Sequence, residues 1–272
     1  MDASHATPRL ANIRIHPIKS LDPVSITEAR VGPAGGLELD RAWALYTVDN
    51  RWVNGKRTPA ILRIRAVFGS DLSSVTLSAP DDDRRISPAQ IAFPQETATA
   101  ERWFSAYFEQ PIIVRHSRNG YPDDPIANGP TIISTASLET VCGWFPSISL
   151  HEMRRRFRTT LEIDDPEGKL PAFWEDRLFG PADTYAVRFR IGEVNLEGSN
   201  PCARCSVPPR DSRNGSNTPE FQKRFCDLRR ESLPPWATVE HFDHYYRLAV
   251  NTRAPLSEPG KTLHVGDSLI LL

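Results

Sequence analysis

Through its first hundred residues the chain alternates short apolar runs with turn formers. Leu10 to Ile15, Val24 to Ala29, Ala42 to Val48, Ile61 to Phe68 and Val75 to Ala79 each have the length and period of a strand, with Gly, Pro and Asp between them. The period changes at Thr97 to Phe108, where Trp103, Phe104, Tyr107 and Phe108 recur at helical spacing, and strand character returns at Pro111 to Arg115. One amphipathic helix therefore closes a β-rich first unit. The stretch 120–130 is dense in Gly, Pro, Asp and Asn and is the best domain boundary, dividing the chain into 1–118 and 119–272.

Beyond it, Ile132 to Ser134 reads as a strand running into a helix that buries Leu138, Val141, Cys142 and Phe145, with Ser134 or Thr135 as N-cap. Such a helix start can accept an anion. Tyr185 to Leu196 alternates as one long strand or as a hairpin turning at Ile191-Gly192, and it delivers the chain to Pro201, so the thiols that follow are expected in a loop after a strand. Thr218-Pro219-Glu220 has the composition of a helix start, with a hydroxyl cap and proline in the first turn. Phe221, Phe225 and Leu228 then form the buried stripe, leaving Lys223, Arg224, Arg229 and Arg230 for other faces. Two last apolar runs, Tyr246 to Val250 and Asp267 to Leu272, are strands that close a sheet on itself. Many short strands, few helices and 24 prolines predict a mixed, β-rich α+β protein: a β-barrel core with peripheral helices, preceded by a barrel-like N-terminal unit.

Composition narrows the partners. In 272 residues with 39% hydrophobic side chains there is ample material for a packed core, and a net charge of −1 supplies no overall field for nucleic acid. An anionic ligand must be held by local cations. The first ten residues contain no apolar leader core and no run approaches a membrane span. Four unevenly placed cysteines do not make a disulfide framework, which favours a reducing compartment and a cytoplasmic location.

Candidate chemistry concentrates at Pro201-Cys-Ala-Arg-Cys205, where two soft ligands flank a guanidinium that favours the thiolate form. Three readings stand side by side: a redox dithiol, a structural zinc site completed by His241 and His244, and two ordinary buried cysteines. The dithiol needs a helix directly after the first thiol, and Pro208-Pro209 opposes one. The run Arg154 to Arg156 reads as an exposed or ion-paired face that can also steer an anion.

The loop Asn200-Pro-Cys-Ala-Arg-Cys-Ser-Val-Pro-Pro-Arg-Asp-Ser-Arg-Asn-Gly215, followed by Thr218 to Phe225, resembles the signature loop of MOSC domains, the molybdenum cofactor sulfurase C-terminal domains. Ile13 to Ser20 and Leu39 to Leu45 look like the β-barrel domain that precedes MOSC in the mitochondrial amidoxime-reducing component and its bacterial relatives. The resemblance implies a molybdenum cofactor, a pterin with molybdenum, whose protein ligand is Cys205, with Cys202 packing or shaping the loop. It implies cofactor contacts from Lys19, Ser20, Arg41, Ser134, Arg158, Thr160, Ala203 and Arg204, and Asp211 is a candidate proton donor that also reads as a turn residue. Thr160 stands where relatives carry Asn, and Ala203 where vertebrate members carry Ser. The implied activity is reduction of small N-hydroxylated substrates, with electrons from a separate reductase, ferredoxin or cytochrome. A sulfur or cofactor carrier without turnover is the rival reading.

Overall fold

The computed structural model describes residues 7–80, 83, 85–124, 126–181 and 186–272. Sixteen strands and four α-helices are present among them. The first strand, β1 (Arg9–Ile15), shows how sequence becomes register: Leu10, Ile13 and Ile15 are buried, and a bulge between Leu10 and Asn12 resets the alternation so that all three face one core. The run at Val24 to Ala29 breaks into β2 (Val24–Ile26) and β3 (Glu28–Arg30). Next come β4 (Trp43–Thr47) and β5 (Trp52–Val53). The run Ile61 to Phe68 is a strand only in its second half, because Pro59–Arg63 form a 3-10 turn ahead of β6 (Arg65–Phe68). Proline at the start of that turn presets its dihedral angle and withholds an N–H from any ladder. After β7 (Ser74–Ser78) and β8 (Ala89–Ala92), helix α1 (Thr97–Phe108) buries Ala100, Trp103, Phe104 and Tyr107, followed by β9 (Ile112–His116).

The second half opens with β10 (Ile132–Ser134), α2 (Thr135–Gly143), α3 (Leu150–Phe157) and β11 (Leu161–Asp164). The α3 helix carries the Arg154 to Arg156 run, which its polar composition had not marked as helical. Val187 to Leu196 is a hairpin, β12 (Val187–Ile191) and β13 (Val194–Ala203), turning at Gly192 with φ 56°; Tyr185 lies outside the described residues. Helix α4 (Phe221–Glu231) begins three residues after Thr218, whose hydroxyl accepts a hydrogen bond from Arg156 instead of capping the helix. On α4 the buried positions are Phe221, Phe225 and Arg229. Arg229 is 1% exposed, paired with Asp176 at 2.5 Å and laid over the rings of Phe173 and Phe242, so the cation expected on an outer face is internal. The chain ends with β14 (Arg247–Arg253), β15 (Thr262–His264) and β16 (Leu269–Leu271).

Eight strands form one sheet in the order β16-β12-β13-β14-β10-β11-β1-β2. All neighbours are antiparallel except β10 and β11, whose parallel pairing is made possible by the α2–α3 crossover. Leu10 N–H donates to Asp267 O at 2.8 Å and Leu269 N–H to Pro8 O at 2.7 Å, joining the first strand to the last and closing the sheet. The smaller sheets β5-β4-β9 and β6-β7-β8 pack with α1 around Ile18, Leu45, Ile64, Leu77, Phe93 and Phe104. Residues 9–30 do not follow a division at 118/119: β1 and β2 belong to the large sheet through β11, and β3 pairs with β15. Linear reading sees a run's strand character and not its partner. Among the described residues no helix is long and apolar enough to cross a membrane.

Candidate functional site

Where β13 ends, the barrel rim, the C-terminus of α3 and the segments 118–124 and 127–131 enclose a cavity of about 560 Å³, within the range of small-molecule sites. Lys19, Ser20, Arg41, Arg158, Ala203, Arg204, Cys202 and Cys205 all line it, although they lie up to 186 positions apart in the sequence. Three of them, Ser20 (φ 74°), Arg41 (φ 53°) and Arg158 (φ 54°), have left-handed backbone, a conformation non-glycine residues hold only where surrounding contacts enforce it. For Arg158 the enforcement is the end of α3, where its N–H donates to Arg154 O at 3.1 Å.

The thiol strand extends further than a loop reading allows. Cys202 lies within β13, and Cys205 is two residues past its end. Both are free and half-buried, and no helix begins between Cys202 and Phe221, so the geometry of a dithiol at a helix start is absent. The guanidinium between them works locally: Arg204 Nη1 donates to Cys202 Sγ at 3.2 Å, Nη2 to the carbonyl of Phe157, and the group lies 5.2 Å over the Phe157 ring. Arg204 thereby ties the thiol segment to the end of α3.

The cavity's cations differ in how they are paired. Lys19 donates to Tyr121 O at 2.8 Å and to Asp123 at 3.0 Å; Arg41 is paired with Asp40; Arg156 with Glu152 at 2.7 Å. Arg158 has no carboxylate partner and no side-chain hydrogen bond among the described residues. Burial, and then the positive charge of Arg41, push its guanidinium down to about 10, still cationic at neutral pH. An unpaired, half-buried cation facing a cavity is an electrostatic debt that an anion would settle. Lys19 is lowered by burial, with Asp123 opposing; Asp123 is raised by burial but held well below the usual carboxylate range by Lys19, Arg41 and Lys56. Under the floor, His16 is fully buried with neither ring nitrogen hydrogen-bonded, Asp40 standing 3.9 Å from Nδ1, and burial plus Arg158, Arg41, Arg14 and Arg155 hold it neutral.

Three sequence candidates stand outside the lining. Ser134 is buried at the α2 N-cap, where its hydroxyl accepts from Ser137 N at 3.1 Å and lies 2.7 Å from Ser137 Oγ, which in turn donates to Glu175 at 2.8 Å. Thr160 is 1% exposed, with its N–H on Thr131 Oγ1 at 3.1 Å and its carbonyl on Arg14 N–H at 2.7 Å. Asp211 forms a turn, accepting from the N–H groups of Arg213 at 2.8 Å and Asn214 at 3.1 Å. Burial raises the Asp211 carboxyl, but those two N–H bonds and the charges of Arg156 and Arg213 leave it lowered, which suits an acceptor and not a proton donor. The Arg154 to Arg156 run is mostly ion-paired, to Glu162, Asp22 and Glu152, and only Arg156 of the three reaches the cavity.

Other lining groups were missed: Lys56, Arg118, Tyr121, Asn128 and Arg247, while His241, named in the sequence only as a zinc partner, lines the cavity instead. Asn128 Oδ1 is buried without a partner. They sit singly in turns and strand ends, and their shared property is position in space. Among the described residues no three His, Cys, Asp or Glu side chains converge as a metal-ligand cluster, so these residues do not furnish the four-ligand cage of a structural zinc. His241 is engaged with Gly180 O at 2.8 Å, and His244 lies near Asp243 at the surface. A single thiol among cations and amides suits a metal that arrives with its own sulfur donors and an anionic tail.

Residues 7–111 match the family model of the MOSC N-terminal beta barrel domain. That family is associated with molybdenum cofactor sulfurases and oxidoreductase-like proteins, and MOSC domains in general with binding of the molybdopterin cofactor. No curated protein matches the chain. Among solved structures, the YUAD protein from Bacillus subtilis aligns over 97% of this chain and 94% of its own at 9% identity, with a TM-score of 0.35, too low to bear on fold or function.

Proposed function

We propose that the cavity binds a molybdenum–pterin cofactor and that the protein reduces N-hydroxylated substrates, amidoximes and hydroxylamines, by removing their oxygen. The observation that carries this reading is the meeting of the Cys205 thiol and the unpaired Arg158 guanidinium in one cavity of about 560 Å³. Cys205 would hold the metal, and Lys19, Arg41 and Arg158 the anionic end of the pterin, with Ser20 and the strand-end backbone at Ala203 beside them. Arg204 would act by fixing the thiol segment against α3. Bound there, the cofactor would supply two-electron oxygen-atom chemistry. The chain's own work is to orient, to keep the thiol in place and to surround the site with fixed positive charge. Electrons would come from a separate reductase, ferredoxin or cytochrome.

The test is metal and pterin analysis of protein made in a host competent for cofactor synthesis, comparing wild type with Cys205→Ser, Cys202→Ser and Arg158→Ala. Molybdenum is expected to be lost with Cys205→Ser, retained with Cys202→Ser, and retained without full pterin occupancy in Arg158→Ala. Wild type free of both molybdenum and pterin would sink the reading. Loaded protein that reduces no amidoxime or hydroxylamine with an artificial electron donor would favour the carrier role.

A further inference from the structure

Reduction of an N–OH group breaks the N–O bond, releases the oxygen as water and leaves hydrogen on nitrogen. The change consumes two electrons, drawn from the separate donor, and two protons. The sequence candidate for a proton source, Asp211, stands in a turn outside the cavity, and the carboxylates that do line it are committed. Asp40 holds Arg41 and accepts from the backbone N–H of His16 at 2.8 Å, Asp123 holds Lys19, and Asp124 accepts from Ile126 N at 2.9 Å and Ala127 N at 3.2 Å. Burial raises the Tyr121 phenol and so makes it a weaker acid.

His241 is different. It lines the cavity half-buried, its ring set edge-on to Phe179 at 5.3 Å, and its Nε2 lies 2.8 Å from the carbonyl of Gly180. A carbonyl only accepts, so Nε2 carries the hydrogen and the lone pair of the neutral ring is on Nδ1. Nδ1 has no partner among the described residues. Because the Gly180 bond holds Nε2–H in both charge states, the proton that can leave or arrive is the one on Nδ1. Glu240, Asp243 and His244 flank the residue along its own segment, Arg204 and Arg247 line the same cavity, and Phe179 and Gly180 are the neighbours it touches.

We propose that His241 is the proton donor to the departing oxygen, passing the Nδ1 proton to it as the N–O bond breaks and recovering a proton from water. This rests on the N-reductase reading; the second proton, to nitrogen, comes from solvent. Positioned general acids contribute on the order of a hundredfold or more to rate.

The experiment uses protein with its cofactor content measured. In equally loaded His241→Gln, kcat with benzamidoxime and an artificial reductant is expected to fall about a hundredfold with little change in KM. Added imidazole should restore turnover to His241→Gly, and His244→Gln should leave the rate unchanged. Equal kcat in loaded wild type and His241→Gln overturns the proposal while leaving the N-reductase reading intact. Independently of turnover, the 15N spectrum of the His241 ring reads the tautomer. Hydrogen on Nε2 is expected, and hydrogen on Nδ1 in the neutral form overturns the proposal whatever the metal content.

Discussion

Glutamine at position 175 should make the protein more stable at mildly alkaline pH and remove much of its pH dependence between about 4.5 and 7. Glu175 lies in the turn Trp174–Leu178, fully buried, with one oxygen on Ser137 Oγ and the other unpartnered. Burial, and then the neighbouring charge of Asp176, push its carboxyl up to about 7 against the hydroxyls of Ser134 and Ser137. The folded protein therefore keeps a proton that the unfolded chain gives up near pH 4.5. Stability from this group is complete below that pH and is lost as pH rises to about 7, a change of about 3 kcal/mol. His16 acts in the opposite sense, since its folded form resists protonation and stability falls as pH drops through the unfolded histidine range. Comparing Glu175→Gln with wild type cancels the His16 contribution. The assay is urea unfolding from pH 4 to 8.5. The two proteins should be similar near pH 4.5 apart from a constant offset, then diverge as pH rises, with slopes against urea unchanged. Parallel stability curves across pH 4.5 to 7.5 would refute the reasoning.

Two further substitutions probe the packing that supports the site. At Gly198 on β13 an added Cβ would meet Leu178 O at 1.6 Å, so Gly198→Ala must displace either the thiol strand or the turn carrying Glu175; a loss of about 3 kcal/mol or more is expected in thermal or denaturant unfolding. Asp176→Asn leaves Arg229 charged and buried without its anion and should cost about 3–5 kcal/mol; it also removes a like charge beside Glu175, so the alkaline loss of stability in this variant should begin from a lower starting point and be smaller.

Helix α1 was legible to the residue because Trp103, Phe104 and Tyr107 repeat on one face and nothing distant overrides them. The chain between Thr218 and Phe225 was not. Its hydroxyl and proline have the chemistry of a cap, but a buried guanidinium from α3 takes the hydroxyl, and the helix starts at Phe221. Arg229 shows the same failure from the other side. Pattern alone places arginine outward, and only Asp176, 53 positions earlier, with the rings of Phe173 and Phe242 makes an inward guanidinium tolerable. At the site, Cys205, Lys19, Arg41 and Arg158 were nameable through motif resemblance, whereas His241 and Asn128 carry no local signal of a cavity.

What the sequence by itself determined is the alternation that makes short strands, the thiol pair at the end of one of them, and the supply of cations for an anionic ligand. Those properties are local, set by the order of apolar and polar side chains and by residue chemistry. Tertiary structure decided that strands from residues 9–30 pair with strands of the second half of the chain, that the sheet closes, and that the half-buried Arg158 is left without a carboxylate. Arg154, Arg155, Arg156 and Arg158 are near neighbours in sequence, yet three are neutralised by Glu162, Asp22 and Glu152 while the fourth, turned by a left-handed helix end, faces the cavity unpaired. Charge becomes a binding site only when the fold withholds its partner, because an ion pair already made leaves little for a ligand to gain.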